Sequence, residues 1–144
     1  MDHIDAKILE ILQQNARTTI SQLGRMINMT QPAVSERVRK LEDQGVILGY
    51  QTVLEPEKLG KHVTAFVLVK ANNCGKLFDF GEQSSEVVEM HQLSGEFNFI
   101  LKVMTSSLKT LDRFIHECSQ YGFTTTMTVL SSPMKSKVLS MEEE

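Results

Sequence analysis

Apolar residues recur at helical spacing through the first 45 residues of the chain and predict three short helices. We expect these helices over residues 2–14, over residues 20–27, and from the turn at Thr30 to a stop at Gly45. Their apolar stripes would together form one small core. The residues predicted to face inward are Ile4, Ile8, Leu9 and Leu12, then Ile20, Leu23, Met26 and Ile27, then Val34, Val38 and Leu41.

The starts of the second and third helices carry capping signals. Thr19 to Gln22 has the S/T-x-x-E/Q form of a capping box, in which two orphan amide donors are satisfied reciprocally. Thr30 offers a side-chain oxygen as the next N-cap, and Pro32 lies in the first turn, where a missing N–H costs little. A short helix, a turn of about three residues and a second capped helix are the layout of a helix-turn-helix.

Beyond Gly45 the pattern changes from helical to β-prone and then alternates. Residues 46–54 predict a short strand, and residues 55–60 predict a turn. The remaining segments predict strands at 63–70, 86–93, 97–104 and 123–130, with helices at 75–83 and 107–121. The order β-α-β-β-α-β is that of a ferredoxin-like sandwich, so the predicted class is α+β.

The change of pattern suggests three segments: a winged helix-turn-helix at 1–50, a linker strand and turn at 51–61, and a ferredoxin-like oligomerisation and effector-binding domain at 62–144. A sheet with helices on only one face leaves its other face in need of cover, which favours self-association. Phe66, Leu68, Phe97 and Phe99 could supply that contact or could equally face the intramolecular core.

Composition narrows the class further. The chain has 144 residues, of which 41% are hydrophobic and 23% charged, as in an ordinary globular protein. No apolar stretch approaches the roughly 20 residues that span a bilayer. The first residues carry acids where a signal peptide would be basic, so we expect a cytoplasmic location, associated with the nucleoid.

Few residues suggest metal or catalytic chemistry. Cys74 and Cys118 lie far apart with no CxxC spacing, and the four histidines are isolated from acids or cysteines at ligand spacing. Paired carboxylates, a nucleophile motif and a phosphate loop do not emerge either. We therefore expect neither a metal, nor another cofactor, nor an enzyme, although the ferredoxin-like fold hosts many activities.

Charge is distributed unevenly along the chain. The formal net charge is −3, yet residues 17–40 hold five cations against one acid, a balance of +4 that leaves −7 for the rest. A basic helix-turn-helix favours double-stranded DNA as the partner. In this interpretation Gln31 and Ser35 reach base edges, while Arg25, Arg37 and Arg39 hold phosphate or structure. The candidate DNA-binding residues are Thr30, Gln31, Pro32, Ser35, Glu36, Arg37, Arg39 and Arg25.

With these motifs in place, the sequence resembles the Lrp/AsnC (feast/famine) family of transcription regulators over nearly its whole length. The similar segments are Asp5-Ala6-Lys7-Ile8-Leu9, Asn15-Ala16-Arg17, Val34, Arg37 to Glu42, Gly45 to Tyr50, Leu59-Gly60, Ser94 to Asn98 and Thr124-Thr125-Thr126. The resemblance implies a regulatory domain that dimerises through its sheet, with dimers often assembling into octamers. It also implies that small amino acids bind between dimers.

The resemblance assigns the effector site to Gly95, Phe97, Asn98, Thr124 and Thr126. Where the family's loop usually has an Asp, this chain has Asn98, which keeps hydrogen-bonding capacity but lacks the charge that would pair with an ammonium group. The positions Gln31, Ser35 and Glu36 vary across the family, so the target sequence does not follow from it.

Two functions are thus expected. The first is a transcription regulator that binds duplex DNA as an oligomer and is modulated by a small amino acid. The second is an architectural protein that bends or wraps DNA with little base readout. The sequence names neither the target genes nor the direction of regulation.

Overall fold

The computed structural model describes residues 1–141, so the last part of the expected 62–144 segment, Glu142–Glu144, lies outside the described residues. Five α-helices and four strands form in this part of the chain. The helices are α1 His3–Gln14, α2 Ile20–Ile27, α3 Gln31–Asp43, α4 Cys74–Gln83 and α5 Leu108–Cys118. The strands are β1 Val63–Ala71, β2 Val87–Gln92, β3 Phe99–Thr105 and β4 Gly122–Thr128.

These elements belong to two compact units. The first contains Met1–Val53 together with the described residues from Met134 onward, and the second contains Leu54–Pro133. Each unit has its own apolar core. The buried residues of the first are Ile8, Leu12, Leu23, Val34, Val38 and Leu41, and those of the second are Ala65, Val67, Val69, Leu77, Phe99, Leu101, Val103, Leu111, Phe114 and Cys118.

Side-chain capping defines where α1, α2 and α5 begin. Asp2, Thr19 and Ser107 each accept hydrogen bonds from the first turn, and each has a reciprocal capping-box partner three residues on. The box predicted at Thr19 is therefore confirmed. Thr30 has the extended N-cap backbone but makes no side-chain cap bond. Pro32 has no N–H, which removes one of the two donors that such a cap would satisfy.

The predicted strand at residues 46–54 does not form. β-prone residues become a strand only where a neighbouring strand supplies a ladder of hydrogen bonds, and the described residues provide none here. The segment is instead irregular, and Leu48 and Val53 are almost fully exposed. The wing of the predicted winged helix-turn-helix thus lacks its strand. The three helices form as predicted, except that Met26, expected to face inward, is 59% exposed.

The second unit has the predicted βαββαβ order, with an antiparallel sheet in the order β2-β3-β1-β4. The hairpin of β2 and β3 is confirmed, although β3 begins at Phe99 rather than at Phe97. The last predicted helix is shorter than expected, because Ser119–Tyr121 form a 3₁₀ turn after α5. Burial raises the pKa of the Cys118 thiol to about 11, as expected of a core residue.

The two faces of the sheet differ in their cover. Val67, Val69 and Phe99 are buried on the side of the helices, so Phe99 belongs to the intramolecular core. Their neighbours along the strands lie on the other face, where an ion pair joins Lys102 Nζ to Glu89 Oε1 at 2.7 Å. The apolar residues of this face, which we call the open face, are Phe66, Leu68, Ile100, Met104, Phe123 and Met127.

β4 begins in very close contact with β1. A Cβ atom on Gly122 would lie 2.2 Å from the carbonyl oxygen of Lys70, so only glycine fits. The register then sets Thr124 opposite Val69 and Thr126 opposite Val67. Both threonines are therefore on the helix side of the sheet, while Phe123, Thr125 and Met127 are on the open face.

Candidate DNA-binding surface and effector site

A close backbone contact joins α2 to the turn before α3. Asn28 ends α2 in the left-handed conformation, at φ 57° and ψ 45°, which asparagine tolerates better than most residues. The amide of Met29 then donates to the carbonyl of Gly24 at 2.8 Å. A Cβ atom on Gly24 would lie 2.7 Å from the Met29 carbonyl oxygen. Sequence analysis did not single out Gly24, although a glycine inside a helical pattern often marks such an approach.

The candidate DNA-reading residues lie on the outer side of α3, opposite its buried stripe of Val34, Val38 and Leu41. All six of those at the start of α3 and along its polar face are exposed: Thr30, Gln31, Pro32, Ser35, Glu36 and Arg39. Polar side chains on the first turns of a helix that follows a short turn suit the major groove of duplex DNA. The arrangement can therefore present one continuous polar surface to DNA.

Arg25 stands apart from this row, in the last turn of α2. Its guanidinium makes only long contacts to Ser21, with Nε 3.4 Å from the carbonyl oxygen and NH2 3.5 Å from Oγ. Such contacts at an exposed site are weak and leave the charge available to a phosphate.

Arg37 has a different environment, because its guanidinium is held by two acids of α1. NH1 lies 2.7 Å from Asp5 Oδ1 and 2.9 Å from Asp2 Oδ2. The amide of Asp5 and the Arg37 guanidinium lower the pKa of Asp2 to about 2, while hydrogen bonds to Asp5 and Asp2 raise the pKa of Arg37. Arg37 thus joins α3 to the start of α1. Of the two roles expected for it, holding phosphate or holding structure, this is the second.

A second polar contact connects α3 to the segment that follows it. The Tyr50 hydroxyl donates to Glu42 Oε1 at 2.8 Å. Burial and this hydrogen bond raise the pKa of Tyr50 to about 12, so the hydroxyl stays protonated and able to donate. The contact was not predicted, although both residues lie in segments that carry the family resemblance.

In the second unit, Asn98 is fully engaged by backbone. Its Oδ1 accepts from the Ala71 amide at 2.7 Å, and its Nδ2 donates to the Ala71 carbonyl at 3.4 Å. Its own amide donates to Val69, and its carbonyl accepts from Leu93. An amide side chain satisfies both Ala71 groups, whereas a carboxylate would meet the Ala71 carbonyl with like partial charge.

Thr126 carries a polar atom that lacks a partner. Its Oγ1 is buried, and within the described residues it has no hydrogen-bond partner. A buried hydroxyl in this condition is uncommon and calls for an explanation. Thr124 lies two residues earlier on the same side of β4, opposite Val69, which also accepts the amide of Asn98. Asn98, just before β3, and Thr124, on β4, therefore lie on opposite sides of β1, with Val69 between them.

The other two candidate effector residues are placed differently. The ring of Phe97 stacks against Phe123, with centroids 6.3 Å apart. Gly95 is exposed at φ 133°, and a Cβ atom there would meet nothing within 4 Å. Phe97 thus contacts the open face at the start of β4, whereas Thr124 and Thr126 lie on the helix side of that strand. Asn98 lies on the far side of β1 and Gly95 at the loop tip, so the fold does not bring all five candidates to one face of the sheet.

Two other kinds of site are absent from residues 1–141. No group of three or more potential metal ligands comes together. None of the helices in the same range is long and apolar enough to cross a membrane.

Comparison with known families gives two matches. Residues 1–42 match the AsnC-type helix-turn-helix domain, and residues 64–139 match the Lrp/AsnC ligand binding domain. An HTH-type transcriptional regulator of Bacillus subtilis, YezC, is 43% identical over 92% of this chain and 95% of its own length. LrpB of the same organism is 36% identical, over 85% and 83%.

Solved structures show the same architecture. Bacillus subtilis LrpC has a TM-score of 0.90 and 29% identity, over 94% of this chain and 99% of its own. A transcriptional regulator of Neisseria meningitidis, solved with L-Met, has a TM-score of 0.87 and 24% identity, over 96% of each chain, a likeness of fold alone.

Proposed function

Because the chain belongs to the Lrp/AsnC family of transcriptional regulators, we propose that it couples DNA binding by its first unit to a small amino acid bound by its second. The chain is a DNA-binding regulator, and its family and relatives are regulators rather than enzymes. We assign below the DNA-binding residues, the effector site and the assembly of the protein.

For DNA, we assign base readout to Gln31 and Ser35, at the exposed start of α3, with Thr30, Pro32 and Glu36 beside them. Arg39 and Arg25 are exposed and would neutralise phosphates. We assign Arg37 an indirect part, because its guanidinium already holds Asp2 and Asp5. It would keep α3 correctly placed on α1.

For the effector, the buried Oγ1 of Thr126 is the observation that carries the proposal. A ligand that bonds this hydroxyl would remove the cost of leaving it unpaired. Thr124, Phe97, Asn98 and Gly95 complete the assigned site. Since the Asn98 side chain is neutral and committed to Ala71, it offers no charge to an ammonium group, and its part would be to position the loop.

For assembly, the open face supports a homodimer formed sheet to sheet. Its apolar residues, such as Phe66 and Leu68, have no helix above them in this unit, and burial against a second copy would remove them from water. We further propose that dimers associate, up to an octamer, and that the protein acts in the cytoplasm at the nucleoid. Light scattering across a concentration series tests the assembly.

The DNA proposal is tested by binding to a duplex from the gene's own upstream region and to a scrambled duplex, at several salt concentrations. A strong preference for the upstream region supports a specific regulator. Equal binding that falls steeply with salt supports instead the architectural alternative, since counterion release drives sequence-independent binding.

The effector proposal is tested by calorimetric titration of the protein with the common amino acids, followed by DNA binding with and without any that binds. We expect heat from at least one small amino acid, and weaker heat with Thr126→Val. The absence of both heat and thermal shift for every amino acid would contradict the proposal.

A further inference from the structure

The C-terminal segment returns to the first unit and binds α1. Leu139 forms two hydrogen bonds with the side chain of Gln13, which lies 126 positions earlier. Gln13 Nε2 donates to the Leu139 carbonyl at 2.9 Å, and the Leu139 amide donates to Gln13 Oε1 at 2.9 Å. Both polar groups of one peptide residue are thus held by a single amide side chain. We call residues 137–141 the strap.

Residues 139–141 of the strap line one side of a mostly apolar groove of about 600 Å³. The other sides are Leu9 and Leu12 of α1, Ala16 just after it, and the irregular segment around Ile47 and Tyr50. Val138 and Met141 are 37% and 38% exposed, whereas Leu130, earlier in the same tail, is 97% exposed. Val138 and Met141 are therefore partly shielded from water, whereas the side chain of Leu139 is 82% exposed, so Leu139 is held through its backbone.

The strap does not cover the candidate DNA-reading surface. The groove is lined by Met1, by residues of α1, by Ala16, by residues 46–51 and by the strap, and none of the eight candidate DNA-binding residues is among them. A second cavity of about 440 Å³ shares Leu12, Ala16 and Tyr50 with the groove and is bordered by Ser35 and Arg39. Leu12, Ala16 and Tyr50 thus border both the groove beside the strap and the cavity beside α3.

The stability of the first unit should depend on such a contact, because the unit is small. Its core has only six buried apolar residues, and small domains are marginally stable because they bury a low fraction of their surface. Arg37 fixes the first turn of α1 through Asp2 and Asp5, and Gln13 lies in its last turn. The strap therefore holds the C-terminal end of α1, which the ion pairs of Arg37 do not reach.

We propose that the strap is an intramolecular clamp that sets the DNA affinity of the helix-turn-helix: the docked strap holds the last turn of α1 in place through Gln13, and release of the strap weakens DNA binding. The proposal rests on the DNA-binding function and is independent of the effector. The partner of the groove is an extended peptide with apolar side chains, supplied by this chain's own C-terminus.

The test uses Gln13→Ala in the full-length protein, with Gln14→Ala as the matched control. Both replace an exposed glutamine of the last turn of α1, so both change helix propensity alike, but only Gln13 bonds the strap. Amide hydrogen exchange of α1 and affinity for a DNA duplex are measured for each. We expect Gln13→Ala to raise the opening constant of α1 by roughly five-fold, as expected for two exposed neutral hydrogen bonds, and to weaken DNA binding by at most the same factor.

Gln13→Glu gives a second, finer variant. The carboxylate still accepts from the Leu139 amide but faces the Leu139 carbonyl without a donor, so we expect release similar to that of Gln13→Ala. A chain that stops before Met134 should reproduce both effects. If exchange in α1 matches that of Gln14→Ala, or if DNA binding of the released variants is unchanged or tighter, the proposal is wrong.

Discussion

Thr126→Val should make the unliganded protein more stable while weakening any effector that uses the hydroxyl. Valine has nearly the shape of threonine and replaces the buried Oγ1, which has no partner in the described residues, by a methyl group. Most substitutions of buried residues are destabilising, so the expected sign is unusual. The gain in stability follows only if the Thr126 hydroxyl has no hydrogen-bond partner before a ligand binds.

The magnitude follows from the cost of burying a polar group. A buried hydroxyl that lacks a hydrogen bond costs roughly 1–3 kcal/mol, and a methyl group in its place gains apolar burial opposite Val67. We expect the second unit to gain about 1 kcal/mol at least. For a domain of this size that corresponds to a rise in Tm of about 4–8 °C. A ligand that loses one neutral hydrogen bond should bind roughly five-fold more weakly.

The assay is thermal unfolding of the full-length protein, followed by calorimetric titration of an effector. Thr128→Val is the matched control, because Thr128 lies on the same strand and the same side as Thr126 but is exposed, and a change there should leave Tm nearly unchanged in the free protein. A fall in Tm for Thr126→Val would show that the hydroxyl makes a stabilising hydrogen bond in the free protein. The account of Thr126 as an orphan atom would then be refuted.

Three further predictions concern the first unit. Gly24→Ala should lower the stability of the first unit by about 1–3 kcal/mol in thermal unfolding and weaken DNA binding, because the new Cβ meets the Met29 carbonyl. Gly75→Ala is the control: its Cβ meets only Asn73 Oδ1 at 3.6 Å, so it should be tolerated. Asp2 has a pKa of about 2, below its ordinary 3.8, so its stabilisation is complete above pH 4 and is lost as the pH falls towards 2; Asp2→Asn should flatten Tm against pH in that window. Arg39→Ala should weaken binding to specific and scrambled duplexes alike and reduce the salt slope by about 1, and a loss confined to the specific duplex would instead indicate base readout.

Local signals accounted for much of the fold. The capping box at Thr19 and the apolar stripes of the three helices are short-range features, and the helices begin and end close to where these features predict. The strand predicted at residues 46–54 failed for a related reason, since its β-prone residues need a partner that local sequence cannot supply. The assigned DNA-binding and effector residues stay predictions.

The features that sequence could not provide all depend on distant residues. Arg37 meets Asp2 and Asp5 only because α3 packs against α1, and the helical wheel could place it only on the flank of the stripe. The strap joins residues 126 positions apart, through a glutamine that no local pattern distinguishes from its neighbour. The unpaired hydroxyl of Thr126 required both the register of β4 and the packing of the sheet.

The close contact at Gly122 also governs which length changes β4 can accept. If the strand slid by one residue, Phe123 would take the place where not even a Cβ fits, so the register is held at that end. Deletion of a single threonine from Thr124–Thr126 would then turn Met127 towards the helices and remove the buried hydroxyl. Deletion or insertion of two residues would preserve the alternation of faces. During divergence we therefore expect this strand to change in length only in even steps, with glycine kept at its start.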